Sequence, residues 1–352
     1  MNRIETLKAL RQNFLNPQGI QGNYWDSVST LKVYDEFFGR RNENKISFIL
    51  ADVFKRNPQL VERLRGSKKI HIGDWGCGPG TFARTFASTV AKSLANDLNF
   101  HFYLHDHSEL AIEYAQKTIR STFENQKIEF SSFSKWEKST QSDELKVFLM
   151  SHVLNEKVTE NHLLEILKLA QGADLVVMVE SGRQTDSNNL VHFRNRFLNQ
   201  NQEFQVLGPC PHSLKCKIAD SGESNWCHFN FRPPAQDSQD GEWVKAHKAM
   251  GVDFRFLSAS FIFLTRANTA LTKQTVSVEK NHFRVLGTPR DLKGRIEVVA
   301  CFDTGEIDKK NISKKLNPMW YKETSKKIDQ NREILLGSAS QNKSDLERGE
   351  WI

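Results

Sequence analysis

Lys69-Ile70-His71-Ile72-Gly73-Asp74-Trp75-Gly76-Cys77-Gly78-Pro79-Gly80 runs from an apolar strand directly into a glycine-rich turn, and Thr81 onward reads as a helix. Alternating glycines let the backbone turn tightly and meet a ligand without Cβ collisions. Free N–H groups at the start of the following helix face whatever docks there. The next apolar run, Phe100–Leu104, is followed by Asp106, placed where an acid accepts hydrogen bonds from ribose hydroxyls. No Gly-Lys-Ser/Thr follows, so the turn is not a Walker loop, and its spacing departs from the Gly-x-Gly-x-x-Gly dinucleotide fingerprint. The competing reading is a glycine turn that packs strand on helix and binds nothing.

Short apolar runs alternate with helical stretches on both sides of this turn. Lys69–Gly73, Phe100–Leu104, Lys127–Phe130, Leu145–Met150 and Asp174–Val179 are the expected strands. Helices are expected over Thr81–Ala95, Glu109–Phe123 and Asn161–Ala170. Crossovers of this length favour right-handed βαβ units, giving a doubly wound α/β sheet. Residues 1–66 read as a polar helical lead-in and 67–205 as the α/β domain. Residues 206–320 hold the cysteine cluster and a small β-rich module with strands over Phe254–Thr265, Phe283–Gly287 and Arg295–Phe302. Residues 321–352 read as a polar tail, partly disordered over Ser338–Ser344.

The chain has 352 residues and a formal net charge of +7, which suits a polyanionic partner. The basic doublets, among them Arg40-Arg41, Lys68-Lys69, Lys309-Lys310 and Lys314-Lys315, are mixed with acids, and each alone reads as a solvated face. No apolar run approaches the ~18 residues that cross a bilayer, so no membrane partner is expected. The opening Met1–Asn16 lacks a continuous apolar stretch and reads as a surface helix. The expected compartment is a bacterial cytoplasm, with the mitochondrial matrix as the alternative, and the expected state is a monomer.

With Asp74 ahead of Gly76, Gly78 and Gly80, and Asp106-His107-Ser108 after the second strand, the α/β domain resembles class I S-adenosylmethionine-dependent methyltransferases. That resemblance implies that the loop wraps the amino-acid part of the donor and Asp106 its ribose. The fourth strand ends in Ser151-His152-Val153-Leu154-Asn155-Glu156, not in the Asn/Asp-Pro-Pro-Tyr/Phe motif of many amino-group methyltransferases. Nor does it carry the Pro-Cys nucleophile of cytosine-C5 enzymes; Pro209-Cys210 lies beyond the fifth strand. His152, Asn155 and Glu156 are of the right type for acid/base work or for closing a pocket. No catalytic residue is assigned, and methyl transfer stays open.

Three of the five cysteines lie in Cys210-x5-Cys216-x10-Cys227, beside His212 and His228. Thiols gathered this way are disulfides, a redox site or metal ligands, and the absence of a secretory signal weakens the first. A fourth thiolate would complete a set for zinc or an iron–sulfur cluster. Cys77 sits inside the glycine turn and reads as a small buried residue. Cys301, within Val298-Val299-Ala300-Cys301-Phe302, reads from its apolar neighbours as a core thiol.

Pro209-Cys210-Pro211-His212-Ser213-Leu214-Lys215-Cys216, then Trp226-Cys227-His228-Phe229, then Arg284–Gly294 leading to Cys301 and the Gly305 turn, resemble a known family. It is the mitochondrial small-ribosomal-subunit family of methyltransferase-like assembly factors and its bacterial relatives, matched from about Tyr24 to Tyr321. The resemblance implies a [4Fe–4S] cluster, with zinc as the alternative, on Cys210, Cys216, Cys227 and Cys301, joining the α/β domain to the β-rich module. Two departures stand in the loop: Lys217 where the family often has proline after the second ligand, and Glu180-Ser181-Gly182 where Glu-Pro-Gly is usual.

The resemblance further implies a protein that binds the small ribosomal subunit and its rRNA and acts in ribosome assembly and translation. Arg194, Arg196, Arg232, Lys245 and Lys248 lie near the cysteine segment in sequence and are the expected phosphate contacts. The alternative is an active S-adenosylmethionine-dependent rRNA methyltransferase with a structural cluster or zinc. A third class, an RNA-binding module without cofactor, is disfavoured by the intact Asp74, Gly76, Gly78 and Gly80 set.

Overall fold

A computed structural model of the chain describes residues 2–16, 25–94, 98–136, 143–156, 158–220, 225–253, 255–267, 281–330, 335–339, 346 and 349–351. Two compact units result: Met1–Val179 with Pro233–Leu257 and Thr269–Leu271, and Glu180–Arg232 with Ser258–Asn268 and Thr272–Ile352.

In the first unit the apolar runs form strands β1 (Lys69–Trp75), β2 (Asn99–His105), β3 (Ile128–Ser131), β4 (Glu144–Ser151) and β5 (Leu175–Ser181). They pair in parallel in the order β3-β2-β1-β4-β5. Leu145–Met150 and Leu175–Glu180 are buried throughout, as central strands covered on both faces must be. The crossover helices are Thr81–Leu94, Glu109–Thr122 and Glu160–Gln171, within a residue or two of expectation. Ser108 and Thr159 start the last two by accepting from Ala111 N and His162 N. From β1 the chain steps outward to β2 and β3, then returns to β4 on the other side of β1. Such a reversal leaves a crevice beyond the strand tips, where doubly wound sheets bind ligands.

The N-terminal region is more than a lead-in, which corrects the reading of residues 1–66. Its helices Arg3–Leu15, Val28–Tyr34, Arg40–Arg56 and Pro58–Arg65, with a π-helical turn at Asp35–Gly39, supply core. Leu10, Trp25 and Leu31 pack with Ala111 of the Glu109–Thr122 helix, and Leu7 and Phe37 with Trp243, Ala246 and Met250. Helical periodicity marks the apolar face but not what it meets. The partner arrives from more than 190 positions downstream, as the Arg40–Asp237 separation of 197 shows.

The Arg40-Arg41 doublet is likewise not a solvated face. Arg40 donates to Asp237 at 2.5 Å and to Asp240 at 2.7 Å, and Asp240 caps the Gly241–Met250 helix. Arg41 donates to Nε2 of buried His247 at 2.5 Å, while His247 Nδ1 donates to the Trp243 carbonyl at 2.8 Å. Both ring nitrogens are thus committed in the neutral form. Burial is the main reason His247 is pulled down to about 4, with Arg41 adding to it. A depressed histidine contributes stability above its unfolded value near 6.5 and loses it as pH falls toward 4. His247→Gln should therefore remove about 2 kcal/mol of the acid-induced loss between pH 7 and pH 4.5, read by urea unfolding at both pH values. Equal acid sensitivity in the two proteins would refute this.

In the second unit the Gln184–Gln200 helix precedes β6 (Phe204–Gly208), β7 (Phe229–Phe231) and β8 (Leu257–Arg266); β8 pairs antiparallel with β6 and also with β7. Phe254, the expected start of this last strand, lies outside the described residues. A separate sheet joins β9 (Asn281–Leu292), β10 (Arg295–Phe302), β11 (Ile307–Ser313), β12 (Leu336–Ala339) and β13 (Gly349–Trp351) in the order β11-β10-β9-β12-β13. Phe283, Val285, Ile296, Val298, Phe302 and Ile312 form its core with Trp320 of the Pro318–Gln330 helix. β12 takes up Ser338 and Ala339 of the stretch expected to lack structure; residues 340–344 lie outside the described set. Among the described residues no helix is long and apolar enough to cross a membrane.

Candidate functional site

The glycine turn sits at the tip of β1, at the reversal point of the parallel sheet. Gly76, Gly78 and Gly80 have φ of 72°, 49° and 77°. A Cβ on Gly76 would overlap Val153 Cγ2, and one on Gly80 would lie 2.9 Å from Ala115 Cβ. At Gly78 it would meet, among the described residues, only Trp25 Cζ2, at 3.7 Å, so against them the loop is close-packed at its ends and looser in its middle. Gly76 N and Cys77 N both donate to the His105 carbonyl at 2.8 Å, tying the turn to the end of β2. Cys77 is buried, its thiol directed at the Gly78 carbonyl, as expected of a packing residue.

Asp106 is at that same end. Its Oδ2 accepts from Gly78 N at 2.9 Å and its Oδ1 from Ser108 N at 3.0 Å, so the acid holds the loop's shape and keeps further lone pairs. Asp74 is 1% exposed; Oδ2 accepts from Ala83 N at 3.1 Å, and buried Oδ1 has no hydrogen-bond partner among the described residues. Burial and the Asp106 charge push the Asp74 carboxyl up to about 7. Glu156, beyond β4, is pushed up to about 7 by the same two causes. Tyr34 is raised by burial and by Asp35, Glu156 and Asp106.

Sequence reasoning missed the wall opposite the loop. Asp35, in the π-helical turn, accepts from Thr81 Oγ1 at 3.1 Å and from Arg84 at 3.0 Å, gripping the helix that opens from the glycines. Trp25 and Tyr34 meet edge to face at 4.9 Å. The available signal was the density of aromatic residues between Trp25 and Phe38. His152, at the tip of β4, is the one non-glycine residue with positive φ among those described, at 58°. Such backbone costs about 1–3 kcal/mol and collects at functional sites.

All four remaining cysteines belong to the second unit, and none is in a disulfide. Cys210, Cys216 and Cys301 each act electrostatically on Cys227, raising its thiol together with burial, and Cys210 and Cys216 do the same to Cys301. Cys301 Sγ lies 3.7 Å from His212 Nε2. The loop is held by one face of the Gln184–Gln200 helix and by β8. Ser187 and Ser260 hydroxyls both donate to the Cys227 carbonyl at 2.6 Å, and Asn195 accepts from Cys216 N at 2.9 Å.

Arg194, expected as a phosphate contact, is 2% exposed and donates to the carbonyls of His212 and Leu214, at 2.9 Å each. It is a scaffold for the loop. Lys245 and Lys248 belong to the first unit and the cysteine segment to the second. Among the described residues no group of three or more His, Cys, Asp or Glu side chains is arranged to hold a metal ion, so the expected four-cysteine metal site is not shown. The donor chemistry, four cysteines in one unit, is of the type that holds a sulfur-ligated group, whose binding would require the thiols to lose their protons.

The family model for the mitochondrial small ribosomal subunit protein Rsm22 matches residues 50–329. The chain belongs to the Rsm22 family. The matched span covers the glycine loop, Asp106 and all four clustered cysteines. No curated protein matches the chain. Among solved structures it is similar to a putative RNA methyltransferase from Pyrococcus horikoshii, with 9% identity, 64% of this chain and 84% of that chain covered, and a TM-score of 0.32. It is also similar to the magnesium protoporphyrin IX methyltransferase of Synechocystis PCC 6803 with bound SAM, with 12% identity, coverage of 76% and 98%, and a TM-score of 0.36. A putative methyltransferase from Bacillus halodurans C-125 is 14% identical, with coverage of 62% and 100% and a TM-score of 0.30. The strand order, the glycine turn after β1 and the acid after β2 make this Rsm22-family chain's first unit a class I methyltransferase-like α/β fold.

Proposed function

We propose that this Rsm22-family chain associates with the small ribosomal subunit, binds S-adenosylmethionine in its first unit, and acts in ribosome assembly through contact with rRNA. The donor reading is carried by the buried Oδ1 of Asp74, unpartnered among the described residues, beside a glycine loop that is looser in its middle. An orphaned carboxylate oxygen requires a donor, and the methionine ammonium of the cofactor supplies one. Gly76, Gly78 and Gly80 would wrap the amino-acid part, and the free lone pairs of Asp106 would receive the ribose hydroxyls. The cofactor's own chemistry is an activated methyl group; the protein's part is to bind and orient it. Calorimetry should show S-adenosylmethionine binding to the wild type and at least tenfold weaker binding to Asp106→Ala. No heat in the wild type would end the donor reading.

The ribosomal part rests on the family's name and on the net charge of +7. Co-sedimentation with small-subunit particles should fall steeply between about 50 and 200 mM salt. Salt-insensitive association, or none, would remove rRNA as the partner. In the same reading Cys210, Cys216, Cys227 and Cys301 hold a [4Fe–4S] cluster, supported by four cysteines, none in a disulfide, within electrostatic reach of one another. A cluster brings iron and inorganic sulfide and a zinc site brings neither, so iron and sulfide analysis after anaerobic purification separates the two. One stoichiometric zinc in a colourless protein would replace the cluster.

The second reading, an active rRNA methyltransferase, is favoured by the backbone of His152 at the β4 tip, with Glu156 four residues on. Transfer of labelled methyl to small-subunit RNA would decide for it.

A further inference from the structure

The turn after β4 brings a further carboxyl, Glu156, to the glycine loop. Val153 fills the space that a Cβ on Gly76 would need, so this turn is seated on the loop itself. His152 N donates to the Val179 carbonyl and Glu156 N to the Val153 carbonyl, both at 3.0 Å, which fixes the turn's path. Apart from its burial, Glu156 responds to Asp106, another acid, and to no base among the described residues. Tyr34, raised first by its burial, is raised further by Asp35 and by these same two acids. Buried Asp74, its Oδ1 unpartnered among the described residues, also responds to Asp106. Carboxylates gathered out of water without a counter-ion are costly, and a ligand bearing a fixed positive charge offsets that cost.

S-adenosylmethionine and its spent form, S-adenosylhomocysteine, share adenine, ribose and amino-acid groups. They differ in the methyl group and in charge: the donor carries a sulfonium cation and the product a neutral thioether. Contacts from the glycines, Asp74 and Asp106 to the shared groups therefore cannot tell them apart, whereas an acid directed at the sulfur can. We propose that Glu156, carried on the β4 turn against the glycine loop, reads the sulfonium charge, so that the site holds the donor more tightly than the spent product. The inference rests on the donor reading above, and it makes Glu156 a specificity-determining residue.

The test is calorimetry of both compounds at pH 8 with the wild type, Glu156→Gln and Glu156→Asp. The wild type should bind S-adenosylmethionine about tenfold or more tighter than S-adenosylhomocysteine. Glu156→Gln should lose most of that preference by weakening the donor alone, and Glu156→Asp should retain part of it. A wild type that binds the two equally, or a Gln variant that weakens both alike, overturns the proposal while leaving the donor reading intact. A wild type that binds neither overturns the donor reading and this inference with it.

Discussion

Gly76→Ala should destabilise the first unit by about 3 kcal/mol and eliminate donor binding. Two costs add at this position. Its φ of 72° lies in the left-handed region, worth about 1–2 kcal/mol against an alanine. The new methyl would also overlap Val153 Cγ2, and overpacking of this kind costs about 1–3 kcal/mol. Gly78→Ala separates the two costs. It shares the left-handed backbone, but among the described residues its Cβ would meet only Trp25, at an ordinary 3.7 Å, so a loss nearer 1 kcal/mol is expected. Urea unfolding of the two variants tests the ordering. Adding Val153→Ala to Gly76→Ala should recover the steric part and leave the backbone part, a coupling that a double-mutant cycle reads directly. A Gly76→Ala protein as stable as the wild type would mean that the turn is not packed as described.

What the sequence made legible was local. The apolar run Lys69–Gly73, the alternating glycines and Asp106 are one continuous signal, since strand, turn and acid are set by neighbours in the chain. The structure places Asp106 Oδ2 on Gly78 N, 28 residues back. Illegible were pairings formed by distant returns. Residues 233–257 come back to the N-terminal helices, so Arg40-Arg41 serves Asp237, Asp240 and His247 rather than solvent. Periodicity in the Arg40–Arg56 helix says which face is apolar and nothing of a partner some 190 residues on. The weak runs Leu336–Ala339 and Gly349–Trp351 become strands because β9 offers the first an edge and β12 offers one to the second, a reason absent from their own composition.

The cysteines divide along the same line. Cys210, Cys216 and Cys227 announce themselves by spacing. Cys301 lies in an apolar run whose composition alone indicates a core thiol. It is buried as such a thiol would be, yet it lies within reach of Cys210, Cys216 and His212. Burial and ligation make the same demand on a strand residue at the edge of a core, so composition cannot distinguish them. Arg194 illustrates the opposite error: charge suggested a surface, whereas the carbonyls of the cysteine loop required a buried donor with several N–H groups.

Arg194→Ala should therefore destabilise the second unit by about 3 kcal/mol or more. The guanidinium donates to the His212 and Leu214 carbonyls and to Asn195 Oδ1, each at 2.9 Å, and its removal leaves loop acceptors unsatisfied as well as a cavity. All three of these acceptors are neutral oxygens. Its charge also reaches the thiols: burial, the largest cause, and the other cysteines raise Cys227 and Cys301, and Arg194 works against that rise at both. Two roles are thus joined in one side chain: shaping the Cys210–Cys216 loop and making its sulfurs easier to deprotonate. Arg194→Lys separates them, because a lysine keeps the charge but cannot span both carbonyls with a planar fork. Urea unfolding should rank the wild type above Lys, and Lys above Ala. Under the proposed cluster or zinc reading, bound metal after anaerobic purification should follow charge rather than fold, with Lys retaining more than Ala at matched stability. If Lys and Ala lose metal equally, the charge of Arg194 has no part in holding the thiolates, and its role is to shape the loop alone.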